Sequence, residues 1–246
     1  DKNFGNTVSL DYINRWLDVT KSTMLFSRGV ILVEGIAEAL LIPRLAEIVL
    51  KSYNKYANAN GIPTVADTLD EMGISVININ GINFMHFMKL FGNFNGSSGS
   101  SIPIYCAGLT DRDPGKEVFP VKGSTPVCQN PMNEYLSEIN QNEHTKLYIS
   151  PLKTFEYDLG IDNPVTLATT LKNVWATETG SVQTELTAII NRSGVYENVD
   201  DLTKDCKFIY EHIETVGKGI FAHTLSQNIN DDFIVPQYIE KAVLWA

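Results

Sequence analysis

The stretch GVILVEGIAEALLIPRLAEI, residues 29–48, decides how the chain is read. Four consecutive β-favouring apolar residues, 30–33, stand between Gly29 and Gly35 and read as a strand buried on both faces, the habit of parallel sheets. IAEALLIPRLAEIVLKSY then reads as a helix, with a kink expected at Pro43. The strand ends in Glu34, and Glu38 falls one helical turn later, near enough for both carboxylates to face one crevice. Taken alone, Glu38 also reads as a residue that complements the positive end of a helix dipole.

Outward from this stretch, residues 6–26 place Leu10, Ile13, Leu17, Met24 and Leu25 at helical spacing, which predicts a lead-in helix. A second strand, GISVININ (73–80), leads into the amphipathic NFMHFMKLFG. The loop NFNGSSGSS precedes a third strand, IPIYCAGLTDRDP, that runs into acidic residues. PMNEYLSEIN reads as a helix and TKLYIS (145–150) as a fourth strand leading to PLKTFEYDLG. The alternation of strands and helices implies a four-stranded parallel sheet with right-handed crossovers. From about Pro164 the strand signal fades, and PVTLATTLKNVWATE, SVQTELTAII, KDCKFIYEHIETV, KGIFAHTLSQNI and PQYIEKAVLWA read as helices, so a helical module follows the sheet.

With 246 residues, 43% of them hydrophobic, the chain has enough apolar surface for a sizeable core. No apolar run approaches the roughly 20 residues of a membrane span, and a cytoplasmic location is expected. Cys106, Cys128 and Cys206 stand too far apart for CxxC zinc spacing and are expected to be reduced thiols. A net charge of −10 argues against a domain that grips nucleic acid by itself through a basic face. It leaves open a metal-dependent nuclease, because clustered carboxylates are what a hard divalent cation requires.

Asp111 and Asp113 in LTDRDP follow the third strand two residues apart, so in extended backbone their side chains point to one side while Arg112 points away. Functional residues of parallel sheets gather beyond the carboxyl ends of the strands, where Glu34 also stands. Acidic groups converging there repel unless a cation sits between them, and Mg²⁺ or Mn²⁺ is the simplest candidate. Glu156 and Asp158 in TFEYDLG follow the fourth strand and could complete a second metal position. Two ions ~3.5 to 4 Å apart would stabilise both the attacking water and the leaving oxygen in phosphodiester cleavage. Lys218, between two glycines in VGKGIFAHTL, could bring a positive charge to the scissile phosphate, although spacing alone favours a solvated lysine.

VILVEGIAEALLIP, GISVININGINF, GLTDRDP, TFEYDL and GKGIFA, in this order, resemble the TOPRIM nuclease half of the OLD (overcoming lysogenisation defect) family, which includes the nuclease subunit of Gabija-type phage-defence systems. The resemblance runs over about residues 8–230. It implies a Rossmann-like TOPRIM sheet at 27–158, a helical module carrying the GKG motif at 159–246, and a connecting helix at 1–26 from an N-terminal ABC-type ATPase domain. It implies a DNA endonuclease with Glu34, Glu38, Asp111 and Asp113 as metal ligands, Glu156 and Asp158 completing the set, and Lys218 assisting the transition state. ATP would act only through the ATPase domain, since no GxxxxGK[ST] loop occurs in this chain. The family also suggests a homodimer or higher oligomer at full length and, if Gabija-like, a helicase partner.

Two other readings remain at this stage. One is a TOPRIM nucleotidyltransferase or topoisomerase-type module, though three scattered cysteines cannot make a primase zinc domain and the ten tyrosines offer no recognisable nucleophile context. The other is a degenerate, non-catalytic TOPRIM fold that serves assembly. The four histidines show no HExxH spacing, and His86 reads as a packed residue of an apolar helix.

Overall fold

GVILV forms strand β1 (Gly29–Val33), all five residues of which are buried. It pairs in parallel with β2 (Ile74–Asn78) on one side and β3 (Tyr105–Thr110) on the other, and β4 (Thr145–Ile149) pairs with β3, giving the order β2-β1-β3-β4. The computed structural model describes residues 7–16, 22–94, 99–175 and 180–246. Among these, the helices are α1 (Thr7–Trp16), α2 (Ile36–Asn60), α3 (Leu69–Met72), α4 (Phe84–Met88), α5 (Leu136–Gln141), α6 (Phe155–Asp162), α7 (Pro164–Val174), α8 (Ser181–Asn191), α9 (Val199–Val216), α10 (Lys218–Asn228) and α11 (Gln237–Trp245).

Strand periodicity sorts the layers. Ile31, Val33, Ala107 and Leu109 face one core with α2 and α6 to α11; Val30, Leu32 and Cys106 face the other with Met24, α4 and α5. The helices after Pro164 therefore share a core with the sheet, and α10 packs directly on α2. Of the lead-in helix expected over 6–26, residues 7–16 form α1, which packs against α4, Thr23–Leu25 form a separate 3-10 turn, and residues 6 and 17–21 lie outside the described ones. α2 continues through Pro43 to Gly61, whose φ of 66° ends it, and the buried Leu41, Ile42, Leu45 and Ala46 offset the hydrogen bond that Pro43 cannot make.

The sheet order reverses direction at β1, since one connection leads outward to β2 and the next crosses back to β3 and β4. That reversal opens a crevice beyond the carboxyl ends of β1 and β3. Behind the sheet, α11 runs against the strand direction. Ala246, which caps it, lies against Gly29 at the start of β1, Trp245 meets Tyr105 at the start of β3, and Tyr238 of its first turn lies toward the crevice carboxylates. No helix among the described residues is long and apolar enough to cross a membrane.

The interior of β3 has no room at Gly108, where a Cβ would come 2.6 Å from Met88 Cε, 2.8 Å from Leu147 Cδ1 and 3.0 Å from Phe84 Cδ1. Gly108→Ala is expected to cost about 1–3 kcal/mol through overpacking. Calorimetry should record this as a melting temperature lower by about 2 to 10 °C; an unchanged melting temperature would mean that the helix layer yields freely.

Candidate active site

Glu34 leaves the end of β1 with its carbonyl accepting from the Gly81 amide at 2.9 Å. Its Oε1 accepts from the Thr110 hydroxyl and from the Asp111 amide, the latter at 3.1 Å. The buried Asn130 holds this arrangement, its amide donating to Thr110 Oγ1 at 2.8 Å and to the Asp111 carbonyl at 2.7 Å. Asp111 Oδ1 accepts from the Phe155 amide at 2.8 Å, tying the end of β3 to the first turn of α6, where backbone N–H groups favour an anion.

Glu156, next on α6 and 2% exposed, receives Lys218 Nζ on Oε2 at 3.1 Å. Lys218 opens α10 behind Gly217, whose φ of 97° requires glycine, and also reaches Glu214 at 3.2 Å. A lysine at a helix N-terminus faces the unfavourable end of the dipole, and these carboxylates offset that. Glu38 lies in the first turn of α2, buried, its Oε2 3.1 Å from where a Cβ on Gly35 would stand. Glu34, Glu38, Asp111 and Lys218 thus line one crevice of about 290 Å³. A larger cavity of about 640 Å³ runs along β2, but its lining includes only two carboxylates, Glu47 and Asp70, so the chemistry lies in the smaller one.

Burial raises the pKa of Glu34, Glu38 and Asp111; the charge of Asp113 adds to it at Glu34, those of Glu34, Glu156 and Glu38 at Asp111, and Glu38, with Glu156 the chief charged neighbour, is pushed up to about 7. For Lys218 burial opposes the charge, but Glu156, Asp111 and Glu214 outweigh it and hold the ammonium protonated. The carboxyl groups of the cluster outnumber its one lysine.

Two expectations from the spacing change. The strand ends at Thr110 and Asp113 takes a left-handed backbone, φ 49°, so the pair does not present its side chains by extended alternation; Asp113 is exposed while Asp111 turns into the crevice. Arg112 does point away, its guanidinium bonding the carbonyls of Ser150 and Pro126. Glu156 and Asp158 separate as well, because two residues along a helix lie on different faces. Asp158 Oδ1 accepts from the Leu152 amide, and the carboxyl is pushed up to about 7 by burial.

Among the described residues, no three His, Cys, Asp or Glu side chains stand in a ready-made metal-ligating arrangement. Thr110, Phe155 and Lys218 hold one oxygen each of Glu34, Asp111 and Glu156. The donor set nevertheless fits a hard cation: every donor is oxygen, and Glu156 Oε1 is buried without a hydrogen-bond partner. Thr110, Asn130 and Lys153 were not legible from spacing. Nor was Tyr238, on the first turn of α11, whose unpartnered hydroxyl is held protonated by burial and then by Asp158, Asp111, Glu38 and Glu156.

The four-stranded parallel sheet of this order, flanked by helices and bearing acidic residues after its first and third strands, has the TOPRIM fold. Residues 25–113 match the family model of the overcoming lysogenization defect protein-like TOPRIM domain. The fold of the longer chain is similar to the C-terminal region of the Xanthomonas campestris pv. campestris OLD protein, with 24% identity, 90% of this chain and 93% of that one covered, and a TM-score of 0.55. It is likewise similar to the C-terminal region of the Burkholderia pseudomallei OLD protein, with 25% identity, 89% and 96% covered, and a TM-score of 0.53. No curated protein sequence matches the chain.

Proposed function

We propose that this chain is the nuclease region of an OLD-family protein, a divalent-metal-dependent DNA endonuclease acting on phosphodiesters. The observation that carries the reading is the convergence of Glu34, Glu38 and Asp111 with Lys218 and Glu156 at the strand ends of an OLD-like TOPRIM frame. TOPRIM domains generally bind divalent metals. Glu34, Glu38, Asp111 and Glu156 would hold Mg²⁺ or Mn²⁺, with Asp113 entering from the exposed loop; the larger set with Asp158 is not favoured by the hydrogen bond it makes to Leu152. A bound cation would supply Lewis-acid stabilisation of charge developing on the phosphate.

The protein's own groups have separable tasks. Thr110 and Asn130 orient Glu34, the Phe155 amide fixes Asp111, and Lys218 holds a charge at the mouth of the crevice where a phosphate would sit. With its net charge of −10, the chain would rely on other parts of a full-length protein for much of its DNA grip, in keeping with an ATPase-linked arrangement and a role in phage defence or DNA processing.

Supercoiled plasmid at low salt tests the reading. Nicking is expected with Mg²⁺ or Mn²⁺ and none with EDTA, and Glu34→Ala should remove it; metal-dependent nicking that persists in Glu34→Ala sinks the assignment.

A further inference from the structure

We propose that Lys153 is a positioning residue for the loop that carries Asp111 and Asp113, and that Asp158 anchors it rather than ligating metal. Lys153 is 3% exposed, in the β4–α6 connection. Its ammonium donates to the carbonyls of Gly115, Lys116 and Val118 at 2.7, 3.1 and 2.9 Å, which uses all three of its donors. Burial disfavours this charge, and the three carbonyls, together with the more distant carboxylates of Asp113, Glu117 and Asp111, offset that cost. It also lies over the Phe119 ring, 4.7 Å from the centre.

The backbone of Lys153 acts on the other end of that loop. Its carbonyl accepts from the amides of both Arg112 and Asp113, at 3.0 and 3.1 Å. Ser150 Oγ completes the bracket, accepting from the Arg112 amide at 2.9 Å and donating to the Lys153 carbonyl at 3.2 Å. One residue therefore grips 112–113 with its main chain and 115–118 with its side chain. Within the first grip Asp113 has φ 49°, a left-handed backbone that a non-glycine residue keeps only when its surroundings impose it. Residues 111–130 contain no helix or strand, so such external ties must supply their order.

Asp158 supports the bracket from below. It is 3% exposed, and its bond to the Leu152 amide at 3.2 Å fixes the residue before Lys153. Its other oxygen, Oδ2, is buried without a partner.

The catalytic consequence rests on the nuclease reading, whereas the loop geometry does not, and the test separates the two. Amide hydrogen exchange and Mn²⁺ calorimetry are measured on the full chain and on Lys153→Met, Lys153→Arg and Asp158→Asn. Exchange at Arg112 and Asp113 is expected to rise about tenfold or more in Lys153→Met, with β1 and α2 amides unchanged. Arginine should not rescue it, because a planar guanidinium does not match three carbonyls around one nitrogen. Mn²⁺ should bind with unaltered stoichiometry and about tenfold weaker in Lys153→Met and Asp158→Asn, the behaviour of outer residues that orient ligands. Unchanged exchange in Lys153→Met and Asp158→Asn, or acceleration spread evenly over the protein, overturns the positioning role. Loss of one Mn²⁺ equivalent in Asp158→Asn returns Asp158 to the ligand set and overturns its part. If the wild type itself binds no Mn²⁺, the nuclease reading fails while the exchange data still decide the role of Lys153.

Discussion

Glutamine at position 38 is expected to make the metal-free protein more stable above neutral pH and to remove its cleavage activity. Burial, and next the charge of Glu156, push the Glu38 carboxyl from 4.5 up to about 7. The folded protein therefore holds the Glu38 proton more tightly than the unfolded chain does. Stability from this group is fully present below the unfolded value and is lost as pH rises from about 4.5 to about 7, an effect on the order of 3 kcal/mol. Metal-free wild type should accordingly melt lower at pH 8 than at pH 5, and Glu38→Gln should lose part of that slope. Mn²⁺ at pH 8 should raise the wild-type melting temperature, since a ligand of the folded state stabilises by mass action, and raise that of the variant less. Cleavage should fall by about 10³-fold, the scale of losing one organised electrostatic group at a reacting centre. Melts at the two pH values, with and without Mn²⁺, check the first half and plasmid assays the second. A wild-type melting temperature flat across this window, or a variant that still cuts, would contradict the view that the crevice stores repulsion for a cation.

Such stored repulsion also explains which parts of the site were legible in the sequence. Glu34 and Asp111 stand at strand ends, where a glycine-bounded apolar run and the period of a strand fix their position within a residue. Glu38 follows from helical spacing, and the sheet with its succeeding helices follows from the alternation of the two periods. Asp113 and Asp158 were placed by their spacing after a strand, which misleads for two reasons: Asp113 leaves extended backbone with φ 49°, and Glu156 and Asp158 lie two apart on a helix, so Asp158 turns to the β4–α6 connection while Glu156 turns to Lys218. Thr110, Asn130, Lys153 and Tyr238 could not be found this way, because each acts through a tertiary contact that no local pattern encodes. A buried lysine in a proline-containing connection, SPLKT, looks like any surface lysine until the carbonyls around it are seen.

Lys218→Met separates the task of holding metal from that of stabilising charge, and the two tasks predict opposite changes. In the structure Lys218 Nζ occupies Glu156 Oε2, an oxygen that a bound cation would also use. Removing the ammonium frees that oxygen, so Mn²⁺ should bind as tightly as before or more tightly. It also removes a positive charge that Glu156, Asp111 and Glu214 keep protonated against the cost of burial, so the variant should lose about 10²-fold or more in kcat. The metal-free variant should be less stable by about 2 kcal/mol, because the 2%-exposed Glu156 loses its charged partner, and saturating Mn²⁺ should restore most of that loss. Calorimetry, thermal melts and single-turnover cleavage give the three readouts. Weaker Mn²⁺ binding with unchanged single-turnover cleavage at saturating metal would make Lys218 an organiser of the carboxylates alone; tighter binding with slow cleavage would put its charge at the phosphate, where the glycine ahead of it gives the backbone room to bring it.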